Sequence, residues 1–234
     1  MHRDFRKLLE KAKGVSEFPI ALNVDIRGFS KWSGDSAESG LFIKKVYIRL
    51  IDEFFKEASF YKATGDGLLV IFPVDEENPK DAVRTTVSLA LEIVRKFPTL
   101  TRGDPMINFP TPKAVGIGLS RGPASRLISG RKTLDYSGTT LNLASRLMDL
   151  ARPKGVVLDG QFGYELLAPS IAKRFEAERV FLKGVAPNTG AAIYYTHDWT
   201  EIPPSVKIPV EAKKWGMGVL KSTRRDLESS VAST

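Results

Sequence analysis

Two aspartates in this 234-residue chain stand where a carboxylate could do chemistry. Asp25 ends the apolar run "FPIALNVDI", and Asp66 lies between two glycines in "KATGDGLLVIF". Asp25 could also cap a helix, and Gly-Asp-Gly is a common hairpin turn. The chemical alternative is a pair of oxygen ligands, because Mg²⁺ and Mn²⁺ prefer carboxylates and need neither histidine nor cysteine. Two such ions can hold the attacking and the leaving oxygen of a phosphoryl transfer.

Two further groups of residues fit phosphate chemistry. In "IRGFSKWS", Gly28 lets the backbone turn closely, and the following N–H groups at Phe29 and Ser30 could cradle phosphate oxygens. Asn142 and Arg146 are four residues apart in a helical pattern, so they share one helix face. Taken alone, Asn142 is better explained as a polar residue on a helix surface.

The composition excludes several classes of protein. The chain has no cysteine and only two histidines, which argues against disulfides, a classical zinc site and a histidine-based triad. The N-terminus has no apolar signal-peptide core, no run is long enough to span a membrane, and a cytoplasmic location is expected. The net charge of +8 suits phosphate-bearing partners, either a nucleic acid or a small nucleotide, although a merely solvated basic surface explains it equally well.

The hydrophobic pattern predicts which elements must position these residues. Strands and helices alternate in the order βαββαβ, which is that of the ferredoxin-like α+β fold, with extra C-terminal strands. The first strand of that fold lies centrally, beside a strand of the hairpin, so Asp25 and Asp66 are expected to meet. The predicted elements are strand 18–26, helix 39–58, hairpin 60–72, helix 79–97, a glycine-broken strand region 113–129, helix 138–151, strand 155–159 and a closing hairpin from 174–184 and 190–197.

The pattern also predicts how the chain is divided. Residues 1–13 form a charged helical lead, and residues 14–200 form the folded domain. Residues 201–234 contain prolines, basic residues and a serine-rich end, which predict an extended or partly disordered tail.

Five stretches, in the same order along the chain, resemble the motifs of the class III nucleotide cyclases, the adenylate and guanylate cyclase family. Each motif is weak on its own, but five in order over residues 18–196 are specific. They change the interpretation of Gly-Asp-Gly from a generic hairpin turn to a metal-binding turn. The five stretches are "VDIRGFS", "KATGDG", "VGIGLSRGPASRLISG", "LDYSGTTLNLASRLMDLARPKGVVL" and "FLKG".

The resemblance implies the metal half of a site. Asp25 and Asp66 would bind two Mg²⁺ or Mn²⁺ ions, and the carbonyl group of Ile26 would assist. Lys183 of "FLKG" would hold the terminal phosphates of a nucleoside triphosphate.

The resemblance also implies a second half of the site. Asn142 would orient the ribose, and Arg146 would stabilise charge on the α-phosphate during attack by the 3′-hydroxyl. In this family the two halves come from two protomers, so the resemblance implies a homodimer and an inactive lone chain.

Lys62 and Asp135 occupy the positions that bind adenine in adenylate cyclases. A cation and a carboxylate could equally serve cytosine or uracil, so hydrogen-bond type does not select the base. Ring size could select it, since a pyrimidine needs bulk to fill a purine slot, and Tyr47, Tyr61 and Tyr136 are candidates for that bulk.

Two segments most resemble the stand-alone bacterial pyrimidine cyclases of the Pycsar antiphage systems. This resemblance implies synthesis of cUMP, or failing that cCMP, on phage infection, with a separate effector that senses the cyclic nucleotide. Adenylate cyclase remains the alternative. The two segments are "YKATGDGLLVIF" and "LDYSGTTLNLASRLMDLARPKGVVL".

Two other classes compete with an enzyme. A ferredoxin-like RNA-binding domain would carry stacked aromatics in a "GFGFV"-like stretch, which the chain lacks. A catalytically dead cyclase homologue would have no need of the complete set of metal and transition-state residues. The sequence therefore favours a nucleotide cyclase that does not bind nucleic acid.

Overall fold

The computed structural model describes residues 2–180, 182 and 191–196. Their regular structure comprises helices and strands interleaved along the chain. The helices are α1 (His2–Glu10), α2 (Phe29–Gly34), α3 (Ser39–Glu53), α4 (Lys80–Lys96), α5 (Thr139–Leu150) and α6 (Pro169–Ala172). The strands are β1 (Lys13–Glu17), β2 (Ile20–Ile26), β3 (Phe60–Ala63), β4 (Gly67–Phe72), β5 (Val115–Arg121), β6 (Ala124–Ser129), β7 (Lys132–Ser137), β8 (Gly155–Asp159), β9 (Phe175–Val180) and β10 (Ala191–Thr196).

The main sheet has seven strands in the order β3-β4-β2-β5-β8-β10-β9. Its first four strands, with α3 and α4, form the predicted ferredoxin-like βαββαβ unit, so that fold prediction is confirmed. Strand β2 lies centrally between β4 and β5 and runs antiparallel to both. Strand β8 extends the sheet parallel to β5, and the β9–β10 hairpin closes it, as the predicted extra C-terminal strands.

The two faces of the main sheet are covered by different helices. Side chains alternate along a strand, so β2 sends Leu22 and Val24 into the large core beneath α3 and α4. Ala21 of the same strand packs on the opposite face, with Leu141 and Ala144 of α5. We call this second side the α5 face. Asp25, which is in phase with Ala21, belongs to the α5 face.

A second, three-stranded antiparallel sheet has the order β1-β6-β7. The sequence patterns did not predict β1 or β7 as separate strands. Strand β1 is half exposed and carries few apolar residues, and its partner β6 lies more than 100 residues away in the chain. The expected N-terminal lead of residues 1–13 accordingly consists of a helix that ends at Glu10, followed by the first residue of β1 at Lys13.

The predicted helix 39–58 ends earlier than expected, at Glu53. Phe54 and Phe55 are consecutive and are both buried, with 6% and 0% exposure. Both amides still donate to carbonyls of the last turn of α3, Phe54 to Leu50 and Phe55 to Leu50 and Ile51, so the chain leaves the helix as the two rings enter the core. None of the helices in the described ranges is both long and apolar enough to cross a membrane. The predicted tail, residues 201–234, lies outside the described residues.

Candidate active site

The two aspartates lie together where β2 meets the β3–β4 hairpin. Asp25 is paired in register with Gly67, the residue that follows Asp66. The backbone N–H of Ile26 donates to the carbonyl oxygen of Asp66 at 3.1 Å, and the two carboxyl groups are within hydrogen-bonding reach of each other. Asp25 does not act as a helix cap, since Gly28 is the N-cap residue of α2.

The Gly-Asp-Gly turn has a shape that only glycine permits at its two ends. Gly65 has a φ of +94°, which side chains on L-residues rarely adopt. At Gly67 a Cβ would overlap the backbone carbonyl of Val24, so glycine lets β4 approach β2 closely enough to bring Asp66 beside Asp25. The hydroxyl of Tyr47 on α3 donates to the carbonyls of Gly65 and Gly67, at 2.6 and 2.8 Å, and holds the turn from the side.

The electrostatics of the pair favour a bound cation. The pKa of Asp25 is raised to about 6, chiefly by burial; the guanidinium of Arg27 opposes this rise, and the neighbouring charge of Asp66 adds to it. Two carboxylates that must ionise side by side repel each other unless a cation lies between them.

The donor set fits Mg²⁺ or Mn²⁺. Among the described residues, no group of three or more His, Cys, Asp or Glu could hold a metal ion, so zinc-type coordination has no support there. Mg²⁺ is ordinarily bound through one or two carboxylates, and water and substrate phosphates complete its shell. The Asp25–Asp66 pair could provide such a partial shell.

The predicted phosphate cradle lies next to the pair. Gly28 has a φ of +75°, which turns the chain directly from β2 into α2. Phe29, Ser30 and Asp66 line one open cavity of about 490 Å³. The structure therefore brings Asp66 and two of the predicted phosphate residues to one opening.

Lys62 and Asp135 meet within one chain. The Nζ of Lys62 lies 2.7 Å from Oδ2 of Asp135, and both side chains are nearly half exposed. Lys62 is paired with Leu69, which packs on the α5 face. The chain thus presents a donor and an acceptor side by side, on the same side of the sheet as Asp25.

The three tyrosines proposed as bulk for the base slot are not equivalent. Tyr47 lies on α3 and holds the metal turn, and Tyr61 packs into the large core with its hydroxyl donating to the carbonyl of Phe55. Neither of these two tyrosines faces the Lys62–Asp135 pair. The prediction that they fill the base slot was therefore wrong for both. Tyr136 adjoins Asp135 and packs against Phe60, with ring centroids 5.4 Å apart.

Asn142 and Arg146 lie on the outer surface of α5. Leu141, Ala144 and Leu147 of that helix are buried against the sheet, whereas Asn142 and Arg146 are exposed. Helix α5 lies directly on β5, because a Cβ at Gly118 would overlap the helix backbone. The predicted common face is therefore exposed, and Asn142 borders a cavity that residues at the ends of β5 and β8 also line.

Asn142 lies away from the aspartate pair within one chain. The side chain of Arg27, which holds Asp25, also reaches the carbonyl of Ala151 just beyond α5. Asn142 precedes Ala151 by nine residues, which at 1.5 Å per residue is about 13 Å along the helix. Asn142 lines a different cavity, of about 330 Å³, which Asp66 does not share.

The sequence did not indicate that Arg27 and Tyr47 support the Asp25–Asp66 pair. Arg27 follows Asp25 by two residues and could have been noticed on that ground, since both then point to one face of a strand. Nothing in the sequence indicates the contacts of Tyr47, because its partners are backbone carbonyls in a distant turn. Lys183 lies outside the described residues.

Comparison with known proteins identifies the type of domain. Residues 20–197 match the family model of the adenylate and guanylate cyclase catalytic domain. No curated protein matches the chain.

The fold is similar to several solved cyclase structures, each of which is under 25% identical and so shows the fold alone. The adenylyl cyclase CyaB from P. aeruginosa has a TM-score of 0.62 at 18% identity, covering 83% of this chain and 100% of that one. The guanylyl cyclase Cya2 has a TM-score of 0.59 at 18% identity, covering 83% and 98%. The guanylate cyclase domain of RhGC from Catenaria anguillulae, in complex with GTP, has a TM-score of 0.54 at 18% identity, covering 80% and 100%.

Proposed function

The chain belongs to the adenylate and guanylate cyclase catalytic domain family, and on that premise we propose that it is a pyrimidine nucleotide cyclase. It converts UTP, or as second choice CTP, to the 3′,5′-cyclic monophosphate and pyrophosphate. The observation that carries the cyclase chemistry is the Asp25–Asp66 pair, in which Asp66 lines an opening together with Phe29 and Ser30.

The reaction is an internal displacement at phosphorus. The 3′-oxygen forms a bond to the α-phosphorus, the bond from that phosphorus to the bridging oxygen breaks, pyrophosphate leaves, and the 3′-hydroxyl proton passes to solvent. Two Mg²⁺ or Mn²⁺ ions held by Asp25, Asp66 and the Ile26 carbonyl would help ionise the 3′-hydroxyl and neutralise charge on the phosphates.

The remaining residues bind and orient the nucleotide. The backbone from Gly28 to Ser30 would hold phosphate oxygens, and Lys183 the terminal phosphates. Asn142 would orient the ribose. Arg146 would stabilise the charge that develops on the α-phosphate, an interaction that is strongest in the transition state.

The active form is a homodimer with composite sites. Asn142 lies about 13 Å along α5 from the end that Asp25 contacts through Arg27, and it is exposed. A second chain can present the same outer face of its α5 to the metal pair of the first. Each dimer then contains two sites, and each site uses both chains.

The proposed base preference rests on the likeness of two segments to the pyrimidine cyclases. The Lys62–Asp135 pair is compatible with uracil or cytosine as well as with adenine. Phe60 and Tyr136 pack together beside that pair and provide bulk for a small slot. Because Lys62 and Asp135 also suit adenine, cAMP synthesis from ATP is the second candidate function.

One experiment tests both the activity and the base. The purified protein is incubated with Mn²⁺ and equal concentrations of UTP, CTP, ATP and GTP, and the products are separated by mass. The preferred base should win by at least about tenfold, since an unpaired buried polar group costs roughly 1–3 kcal/mol. cAMP as the main product would refute the pyrimidine preference alone, and no cyclic product from any nucleotide would refute the cyclase proposal.

Variants of the base-binding pair sharpen that test. Lys62→Ala and Asp135→Ala should reduce the preference between bases while the protein still cyclises nucleotides. Lys80→Ala is the matched control, because this exposed lysine begins α4 on the other side of the sheet. An unchanged preference in the first two variants would remove Lys62 and Asp135 from base recognition.

The resemblance also suggests a biological role, in which the cyclic nucleotide is a second messenger in antiphage defence and a separate effector responds to it. Cells that carry the protein should accumulate cUMP or cCMP within minutes of phage infection, and cells that carry Asp66→Ala should not. Equal levels in the two strains would contradict this role.

A further inference from the structure

Arg27 is a buried cation that joins two parts of the site. Its side chain is only 7% exposed. One terminal nitrogen donates to Oδ2 of Asp25 at 2.6 Å. The other donates to the carbonyl oxygens of Met148 and Ala151, and Nε donates to Ala151 as well, at 3.2 Å. All three nitrogens of the guanidinium are therefore engaged, on one side by the metal carboxylate and on the other by the end of α5.

The sheet leaves room for this arrangement at one point. Gly116 of β5 lies opposite Asp25 in register. A Cβ at Gly116 would overlap the guanidinium of Arg27, so the glycine allows that group to cross β5 and reach α5. The same strand carries Gly118, where the helix backbone rests directly on the sheet.

We propose that Arg27 is a positioning residue that couples the metal half-site of a chain to the α5 half-site of the same chain. The inference rests on the proposed two-chain site. In the dimer these two halves serve different composite sites. A cation that binds Asp25 at one site then changes the support of α5, which carries Asn142 and Arg146 to the other site.

The chemistry of the contacts explains why arginine stands here. The planar guanidinium can donate to a carboxylate and to two carbonyls at once, whereas a lysine ammonium on its flexible stem cannot span both sides with the same geometry. The carbonyls of the last helical turn carry partial negative charge, so a cation is also stabilising at that end of α5. Asp25 and the end of α5 are thus joined through one planar guanidinium, so a shift of the group toward one side strains its contacts on the other.

Hydrogen exchange of α5, followed by mass spectrometry with and without Mn²⁺, tests the coupling without using turnover. In the wild type, Mn²⁺ should change exchange in residues 145–151. In Arg27→Lys, exchange there should be about tenfold faster without Mn²⁺, because buried carbonyls lose their donors, and the response to Mn²⁺ should vanish. Gly116→Ala, which displaces the guanidinium and leaves Arg27 in place, should give the same loss of response.

The matched control is Arg84→Lys. Nε of Arg84 donates to the carbonyl of Leu166 at 2.6 Å, far from the metal pair, so this change should speed exchange near 164–168 and leave the Mn²⁺ response of α5 intact. A wild-type α5 that ignores Mn²⁺, or a response that survives in Arg27→Lys, would overturn the coupling. A purely structural role predicts faster exchange in Arg27→Lys with the Mn²⁺ response retained.

A mixed dimer gives a second readout. The chain Asp25→Ala can contribute only its α5 half-site, so Arg27→Lys added to that chain can act only through α5. A mixture of the double variant Asp25→Ala/Arg27→Lys with Arg146→Ala should have a several-fold lower kcat than a mixture of the single variant Asp25→Ala with Arg146→Ala. Equal activity of the two mixtures overturns the coupling while cyclase activity stands. An Arg27-dependent exchange response without turnover in the wild type supports the coupling and counts against the proposed cyclase function.

Discussion

Replacement of Tyr47 by Phe tests whether its hydroxyl positions the Gly-Asp-Gly turn for metal binding or only contributes to the stability of the fold. The Tyr47 hydroxyl lies 2.6 and 2.8 Å from the carbonyl oxygens of Gly65 and Gly67, on either side of Asp66. Burial, followed by the charges of Asp66 and Asp25, raises the pKa of Tyr47 to about 12. The hydroxyl therefore stays protonated and remains a donor over the whole working pH range.

The expected magnitude follows from those contacts. One hydroxyl proton is shared by two carbonyls, and its loss should cost about 1 kcal/mol of unfolding free energy. The same loss frees the turn that presents Asp66. We therefore expect the dissociation constant for Mn²⁺ to rise about fivefold, the factor that corresponds to about 1 kcal/mol at room temperature.

Tyr164→Phe is the matched control. Its hydroxyl also donates to one backbone carbonyl, that of Ala172 at 3.0 Å, in a part of the chain remote from the metal pair. Denaturant unfolding should show similar losses in both variants, and calorimetric titration with Mn²⁺ should show weaker binding in Tyr47→Phe alone. Unchanged Mn²⁺ affinity in Tyr47→Phe, with stability reduced, would refute the view that this hydroxyl positions the metal turn.

Three other changes have definite expected outcomes. Asp25→Ala and Asp66→Ala should each abolish turnover while unfolding stays cooperative. Wild-type rates in either variant would contradict the two-metal mechanism. A mixture of Asp25→Ala with Arg146→Ala should recover activity that neither has alone, and a mixture that stays inactive although the chains exchange would exclude a shared site. Burial raises the pKa of Asp159, so its charged form lowers stability at pH 7, and this loss disappears as the pH falls toward about 4. Thermal unfolding should therefore show a higher melting temperature for Asp159→Asn than for the wild type at pH 7, and no difference at low pH. A difference that does not depend on pH would contradict the reasoning.

The sequence predicted those parts of the site that local chemistry and strand order determine. A carboxylate at the end of a buried strand and a Gly-Asp-Gly turn are both visible locally. Since the first strand of a ferredoxin-like sheet lies beside the hairpin, Asp25 and Asp66 had to meet, and they do. The α5 pair was predictable as a shared face because the spacing of four residues matches the helical period.

What the sequence did not predict depends on contacts between distant segments. The pairing of β1 with β6 joins two short, partly polar stretches, and no local period marks them. The burial of Tyr61 against the core, rather than beside Lys62, follows from alternation along β3 once the register is known. The reach of Arg27 to the end of α5 depends on the space at Gly116, a residue that the pattern alone shows only as a break in an apolar strand.

Positions on the sheet explain why assembly and catalysis should depend on each other in this molecule. Asp25, Lys62 and α5 all lie on the α5 face, yet α5 covers the middle of that face with its apolar side and turns Asn142 outward. On the proposed mechanism, a single chain therefore carries the metal pair and the base-binding pair but holds Asn142 away from them. A second copy placed against the α5 face would supply the missing groups to each site at once. Because Arg27 contacts both Asp25 and the end of α5, a cation bound by one chain would then act on the site completed by its partner.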